Sequence, residues 1–403
     1  MTILSLFSVR YAGSESLVDD LCQKTRSRIF RDTDIIERCS LRHHIKPAIL
    51  KKALYSGTSV FNNFTHEKEY ATACLRATLA DLLETEGQIF TGHTALLLPF
   101  SLSHVLRIHI TAGRRWRIMQ AKAMGTTEKE AEEDIRRHDT ITALWTRHLW
   151  KKPSMDKDHF HMILTMDKAE NPLEEILETM TQPRHQITKE GRWIMEDFRL
   201  RTRVELELNL AGHDVEVDVF QGRVRLTIEK KFPHPSKLAN ELHSIVSASP
   251  GVQEVEICIG PVSTDARNYH RYDAAVACKV LLVDDEKEFV QTLSERLRMR
   301  EYPSHAVFSG KEALDLLETD APDVMVLDLM MPGINGFEVL RRTRQKYPDI
   351  EIIILSGHGS ETDRQRCMDM GAFACLQKPA DINELKATIN KAHARILKRR
   401  ETP

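Results

Sequence analysis

"KVLLVDDE", residues 279–286, decides the fold of the last third of the chain. Val280, Leu281, Leu282 and Val283 are apolar without alternation, so both faces of the strand they predict are buried. Such strands belong to parallel sheets covered by helices on both sides. Asp284, Asp285 and Glu286 follow directly. One Asp at that point caps a helix. Two adjacent carboxylates repel, each raising the other's pKa, unless a cation neutralises them.

Working outward, the block 278–398 repeats strand and helix. Further strands are predicted at Ser304–Phe308, Val324–Leu327, Ile352–Leu355 and Ala374–Leu376. Helices are predicted at Glu286–Arg300 and Lys311–Glu318, the second opened by a capping box from Ser309 to Glu312. The pattern predicts a doubly wound, five-stranded parallel sheet, whose ligands collect at the carboxyl ends of the strands. Asp284 and Asp285 end the first strand, Asp328 the third and Ser356 the fourth, while Lys378 follows the fifth. An all-oxygen acidic cluster suits magnesium, and phosphoryl chemistry at a carboxylate needs its negative charge cancelled.

With "VLLVDDE", "DVMVLDLMMPGINGFEVL", "IIILSGHG" and "GAFACLQKP", the block resembles a response-regulator receiver domain of flavodoxin-like fold. That resemblance implies a phosphoacceptor at Asp328, served by a sensor histidine kinase or phosphotransfer protein. It implies magnesium held by Asp284, Asp285, Asp328 and the Met330 carbonyl, with Lys378 and Ser356 on the phosphoryl group. Cys375 stands where the family usually places Tyr or Phe, the aromatic that swings on activation. Phe373 lies two residues earlier and is expected on the same strand face.

Residues 1–185 alternate strands (Ile3–Val9, Val105–Thr111) with helices (Glu69–Glu86, and Lys129–Trp150 as one long helix or a helix pair), the pattern of an α/β layered domain. "SVRYAGSES", "FRDTDIIERC", "GQIFTGHTALLLP" and "LRIHITAGRRWRIMQAKAMGTTEKEAEEDIRRHD" resemble the cytidylate-kinase-like branch of the nucleoside monophosphate kinases, a P-loop-kinase-like fold. The resemblance implies a vestigial nucleotide site at Gly13, Ser14, Gly92, Arg114 and Arg117. A phosphate loop wants glycines and a lysine. This one offers Gly13 alone, carries Glu15 and lacks lysine; His93 replaces the family's arginine after Gly92, and Thr142 stands where a lid arginine is usual. The region is expected to be an inactive docking or effector module. The rival is a cytidylate kinase gated by the receiver.

Residues 190–262 change period. Val215, Val217 and Val219, then Val224, Leu226 and Ile228, flank Gln221-Gly222 as a hairpin; an amphipathic helix and a closing strand follow. This small α+β unit resembles a BON domain, and residues 263–277 read as a linker.

The 57 basic and 59 acidic residues leave a net charge of -2, which gives no global field toward nucleic acid or anionic lipid. Seven scattered cysteines without zinc-finger spacing read as free thiols in a reducing compartment. No signal peptide and no apolar run of membrane-spanning length is legible, so a cytoplasmic protein is expected. Only a few residues follow the last predicted helix, so no DNA-binding output is expected there. A homodimer and an unidentified downstream protein complete the expected partners.

Overall fold

The computed structural model describes residues 2–401 except 84–86, 151–154, 156, 183–184, 186–187, 230–234, 261–277, 299–301, 303 and 358–360. The predicted linker, 263–277, therefore lies outside the described residues, as do the last residues of the predicted helices 69–86 and 286–300. Contacts divide the chain into two compact units: Met1–Thr58 with His66–Arg271, and Ser59–Thr65 with Tyr272–Pro403.

The first unit holds a parallel sheet of β1 (Ile3–Ser8), β2 (Arg28–Arg31), β3 (Gln88–Thr91), β4 (Val105–Thr111) and β5 (Met162–Thr165), in the order β2-β3-β1-β4-β5. Its central strand shows why. Ile3 and Phe7 enter one core, while Leu4 and Leu6 enter the core on the opposite face. Both faces are covered, as the continuous apolar run requires. Helices Glu67–Leu82 and Glu128–Trp150 match the predicted ones closely.

A second, three-stranded sheet in this unit runs β6 (Glu216–Phe220), β7 (Arg223–Glu229) and β8 (Glu254–Gly260), with β6 and β7 antiparallel and β7 and β8 parallel. The hairpin turns at Gln221-Gly222, with φ of 48° and 77°. Two consecutive positive φ values are what a two-residue turn needs to match strand twist. Helix Lys189–Leu210 was not legible as an element. It sends Phe198 into the core shared with β1 and Leu200, Val204 and Leu208 into the core of the small sheet. Its Asp197 accepts hydrogen bonds from the Gln221 and Gly222 amides at 2.7 and 3.0 Å, which holds the hairpin turn.

The second unit contains β9 (Val280–Val283), β10 (Ser304–Val307), β11 (Val324–Leu327), β12 (Glu351–Ser356) and β13 (Ala374–Gln377). All pairings are parallel, in the order β10-β9-β11-β12-β13. This is the doubly wound arrangement that strands 279–286 predicted. Leu281, Val283, Met325 and Leu327 face one core, and Val280, Leu282, Val324 and Val326 the other. Ser309 accepts from the Glu312 amide at 3.2 Å, and Glu312 reaches back to the Phe308 amide at 2.9 Å, so the predicted capping box forms. No helix among the described residues is long and apolar enough to cross a membrane.

Candidate functional site

Register places the acids. β9 and β11 pair Val283 with Leu327, so Asp284 and Asp328 leave the sheet side by side at its carboxyl edge. The Asp328 amide donates to the Val283 carbonyl at 2.9 Å, and the Asp284 amide to the Val307 carbonyl at 3.2 Å. Both side chains are buried, while Asp285 is half-buried. Carboxylate oxygens of Asp284, Asp285 and Asp328 lie within 4.8 Å of one another. Met330 follows two residues after Asp328 with its side chain 70% exposed, which leaves its backbone carbonyl as its candidate donor. The chain after Asp328 turns so tightly that a Cβ on Gly336 would sit 2.2 Å from the Asp328 carbonyl oxygen. Only glycine fits that approach.

β12 and β13 pair Ser356 with Gln377, which brings Ser356 and Lys378 to the same edge. The Lys378 ammonium is 2.6 Å from Asp284 Oδ2, 3.1 Å from Glu286 Oε1 and 3.6 Å from Asp328 Oδ2. Burial works against its charge, but the bonds to Asp284 and Glu286 and the nearby Asp328 hold its pKa above the ordinary lysine value. Burial, reinforced by Asp284 and Asp285, pushes the Asp328 pKa up despite the opposing pull of Lys378. The Ser356 hydroxyl is buried and has no hydrogen-bond partner among the described residues. Such a group is costly unless a partner arrives.

Two neighbours were not singled out in the sequence. Glu286 shares Lys378, and the ring of Phe289 lies 4.9 Å from its ammonium. Glu286 was visible as a third acid; Phe289 sits one helical turn further on, where a local reading has no reason to look. Phe373 corrects an expectation. It packs in the core lined by Val280 and Leu282, whereas Cys375 packs against the core of Leu281 and Val283. Phe373 precedes β13, so the alternation of that strand does not govern it. It therefore does not share a layer with Cys375, whose thiol lies 3.9 Å from the Arg364 carbonyl.

The sequence-predicted residues of the first unit are arranged differently. Gly13 caps helix Ser14–Thr25 with φ of 81°, and the Ser14 hydroxyl donates to Ser8 Oγ at 2.8 Å. The Trp116 indole donates to the Ala12 carbonyl beside this turn. Gly92, with φ of 106°, leaves the Asp32 carboxylate only 2.6 Å from where a Cβ would stand. Asp32 accepts from the His93 and Thr94 amides, the Thr94 hydroxyl and the Tyr55 hydroxyl. Burial opposes its charge, but His93 and Thr94 hold its carboxyl below the ordinary range. Arg117 is buried, bidentate on Asp139 at 2.7 and 3.0 Å, and donates to the Arg10 carbonyl. Arg114 is exposed and pairs with Glu132.

The oxygen-only donors at the carboxyl edge of β9 and β11 fit magnesium, which takes a few carboxylates and keeps waters. Residues 280–390 match the family model of the response regulator receiver domain, and residues 11–168 that of the cytidylate kinase-like family. Response regulator MprA of Mycolicibacterium vanbaalenii is 38% identical over 125 residues, covering 31% of this chain and 52% of the relative. The chain thus spans about half the length of that curated relative. Among solved structures, the receiver domain of Francisella response regulator 1452 is 33% identical, with a TM-score of 0.28, 29% of this chain covered and 98% of the other. Vibrio cholerae chemotaxis protein CheY4 is 30% identical, also with a TM-score of 0.28, 29% of this chain and 98% of the other covered. Residues 280–390 are therefore similar to a response-regulator receiver domain, and they follow a region similar to the cytidylate kinase-like family.

Proposed function

We propose that Asp328 accepts a phosphoryl group from a phosphohistidine on a sensor kinase or phosphotransfer protein. The observation that carries this is the Lys378 ammonium within 3.6 Å of Asp328, beside three clustered carboxylates. An Asp328 carboxylate oxygen bonds to phosphorus as the phosphorus–nitrogen bond to the donor imidazole breaks. The nitrogen keeps the electron pair and takes a proton from solvent. Asp284, Asp285, Asp328 and the Met330 carbonyl would hold magnesium, which when bound screens the charge of the phosphoryl oxygens. Lys378 supplies a fixed positive charge to the same oxygens. The acyl phosphate brings about -1.5 to -2 charges and three strong acceptors. Ser356, whose buried hydroxyl has no partner among the described residues, is placed to donate to one of them, which supports a switch role for Ser356 and for Cys375 on the adjoining strand.

The first unit serves, in this account, as an effector or docking region without nucleotide kinase activity. Arg117 is committed to Asp139, Glu15 lies in the turn after β1, and no lysine is present there. The BON-like hairpin unit is read as a binding or spacing element. The test is labelling of the full chain by a phosphohistidine donor with magnesium, alongside a coupled assay with CMP and ATP. Labelling that D328N abolishes, with no CMP-dependent ATP consumption, is the expected pair of results. Equal labelling of D328N removes the assignment of the acceptor. CMP turnover lost on R114A and R117A would restore the kinase reading.

A further inference from the structure

The opposite edge of the receiver sheet carries a second cluster that phosphoryl chemistry does not use. Cys278 lies two residues before β9, Asp323 immediately before β11, and His393 on helix Ile382–Glu401. Sγ of Cys278, a carboxylate oxygen of Asp323 and a ring nitrogen of His393 all lie within 4.8 Å of one another. From this geometry we infer that Cys278, Asp323 and His393 form a site for a transition-metal dication, with Zn2+ as the fitting ion.

Three elements converge for definite reasons. β9 and β11 start in register, Val280 opposite Val324, so the residues preceding them are neighbours. The Asp323 and Val324 amides both donate to the Lys279 carbonyl, at 2.9 and 3.0 Å. The Lys279 amide returns a bond to Asp323 Oδ2 at 2.9 Å, which fixes the plane of the carboxylate. Helix Ile382–Glu401 buries Leu385, Ile389, Ala392 and Ile396 against the sheet, and His393 flanks that stripe one turn beyond Ile389. Cys278 and Asp323 are buried. The donors are thus positioned by backbone and packing, as the outer shell of a metal site must be.

Donor chemistry chooses the ion. A thiolate, an imidazole and a carboxylate together suit zinc, with a fourth position for water, and do not suit magnesium, which takes oxygen. Ligands around a tetrahedral zinc at ~2.0–2.3 Å sit roughly 3.3–3.8 Å apart, a spacing that donors within 4.8 Å reach with small side-chain rotations. On binding, the Cys278 thiol releases its proton to solvent and the imidazole binds as the neutral ring. The bound ion would cross-link the residue that opens the domain to the helix that closes it, at the edge away from Asp328.

The experiment uses the full chain, reduced, titrated with Co2+ as the spectroscopic probe and with Zn2+ as competitor. Expected is a thiolate-to-cobalt charge-transfer absorption with tetrahedral ligand-field bands, saturating at one ion per chain and bleached by Zn2+ but not by excess Mg2+. C278S abolishes the charge-transfer band, and H393Q weakens it at least tenfold in affinity. D284N leaves it unchanged, which separates this site from the magnesium-type cluster. C278A, checked for folding by circular dichroism, repeats the C278S arm should serine itself disturb the domain. The inference is overturned if no thiolate band forms, or if the band survives C278S and C278A and so belongs to one of the six other cysteines.

Discussion

Lys378 is the residue on which the receiver edge turns, because it faces Asp284, Glu286 and Asp328 at once. Replacing it with Ala removes a fixed positive charge from the phosphoryl group and should slow labelling of Asp328 on the order of 10²-fold. Quench-flow labelling measures this. Without magnesium, D328N should raise the melting temperature of the receiver. The raised pKa of Asp328 means that folding disfavours its charged form, so its contribution improves as pH falls toward the ordinary carboxylate pKa and is lost above the folded one. A fall in melting temperature for D328N at neutral pH would contradict that sign. At this scale the sequence was informative where chemistry is carried by residue type: Asp284, Asp285, Asp328, Ser356 and Lys378 all reach one edge. It was uninformative for Phe373 and Phe289, whose partners are fixed by packing between helices and sheet rather than by spacing.

Turns and strand ends set the elements. A Gly336→Ala change forces a methyl group into the Asp328 carbonyl, a clash with backbone that cannot rotate away. A loss of about 1–3 kcal/mol is expected, read by urea unfolding, together with slower phosphorylation because Asp328 itself must shift. Ser309→Ala removes the cap on helix Gly310–Thr319 and should cost about 1 kcal/mol, with labelling of Asp328 unaffected. β4 carries a buried liability: neither ring nitrogen of His109 has a hydrogen-bond partner among the described residues, and burial drives its pKa down to about 4. His138, half-buried and near His93, is likewise lowered to about 4 by burial. The neutral forms are favoured by folding, so their contribution is full above the ordinary value of 6.5 and is lost as pH falls toward 4. The first unit should weaken over that window by roughly 3 kcal/mol for His109 and less for His138, with H109F flattening the pH dependence of its unfolding. Strands with continuous apolar runs were legible in advance. Helix Lys189–Leu210 was not, because it feeds two cores from different faces and so shows no single apolar stripe.

Across the whole molecule, a receiver-like domain follows a region with a five-stranded parallel sheet that matches the cytidylate kinase-like family. In that region Arg117 is held by Asp139, and the indole of Trp116 by the Ala12 carbonyl. The fold of that region was readable from its strands, but the anchoring of the turn after β1 was not, since it depends on contacts made by a helix a hundred residues away. Signalling through the carboxyl edge of β9 and β11 requires a single acceptor. Full-length protein phosphorylated with magnesium, reduced with borohydride and digested should show one modified residue by mass spectrometry, at Asp328. Modification at Asp284, Asp285 or Ser356 in its place, or none in a folded protein, contradicts it.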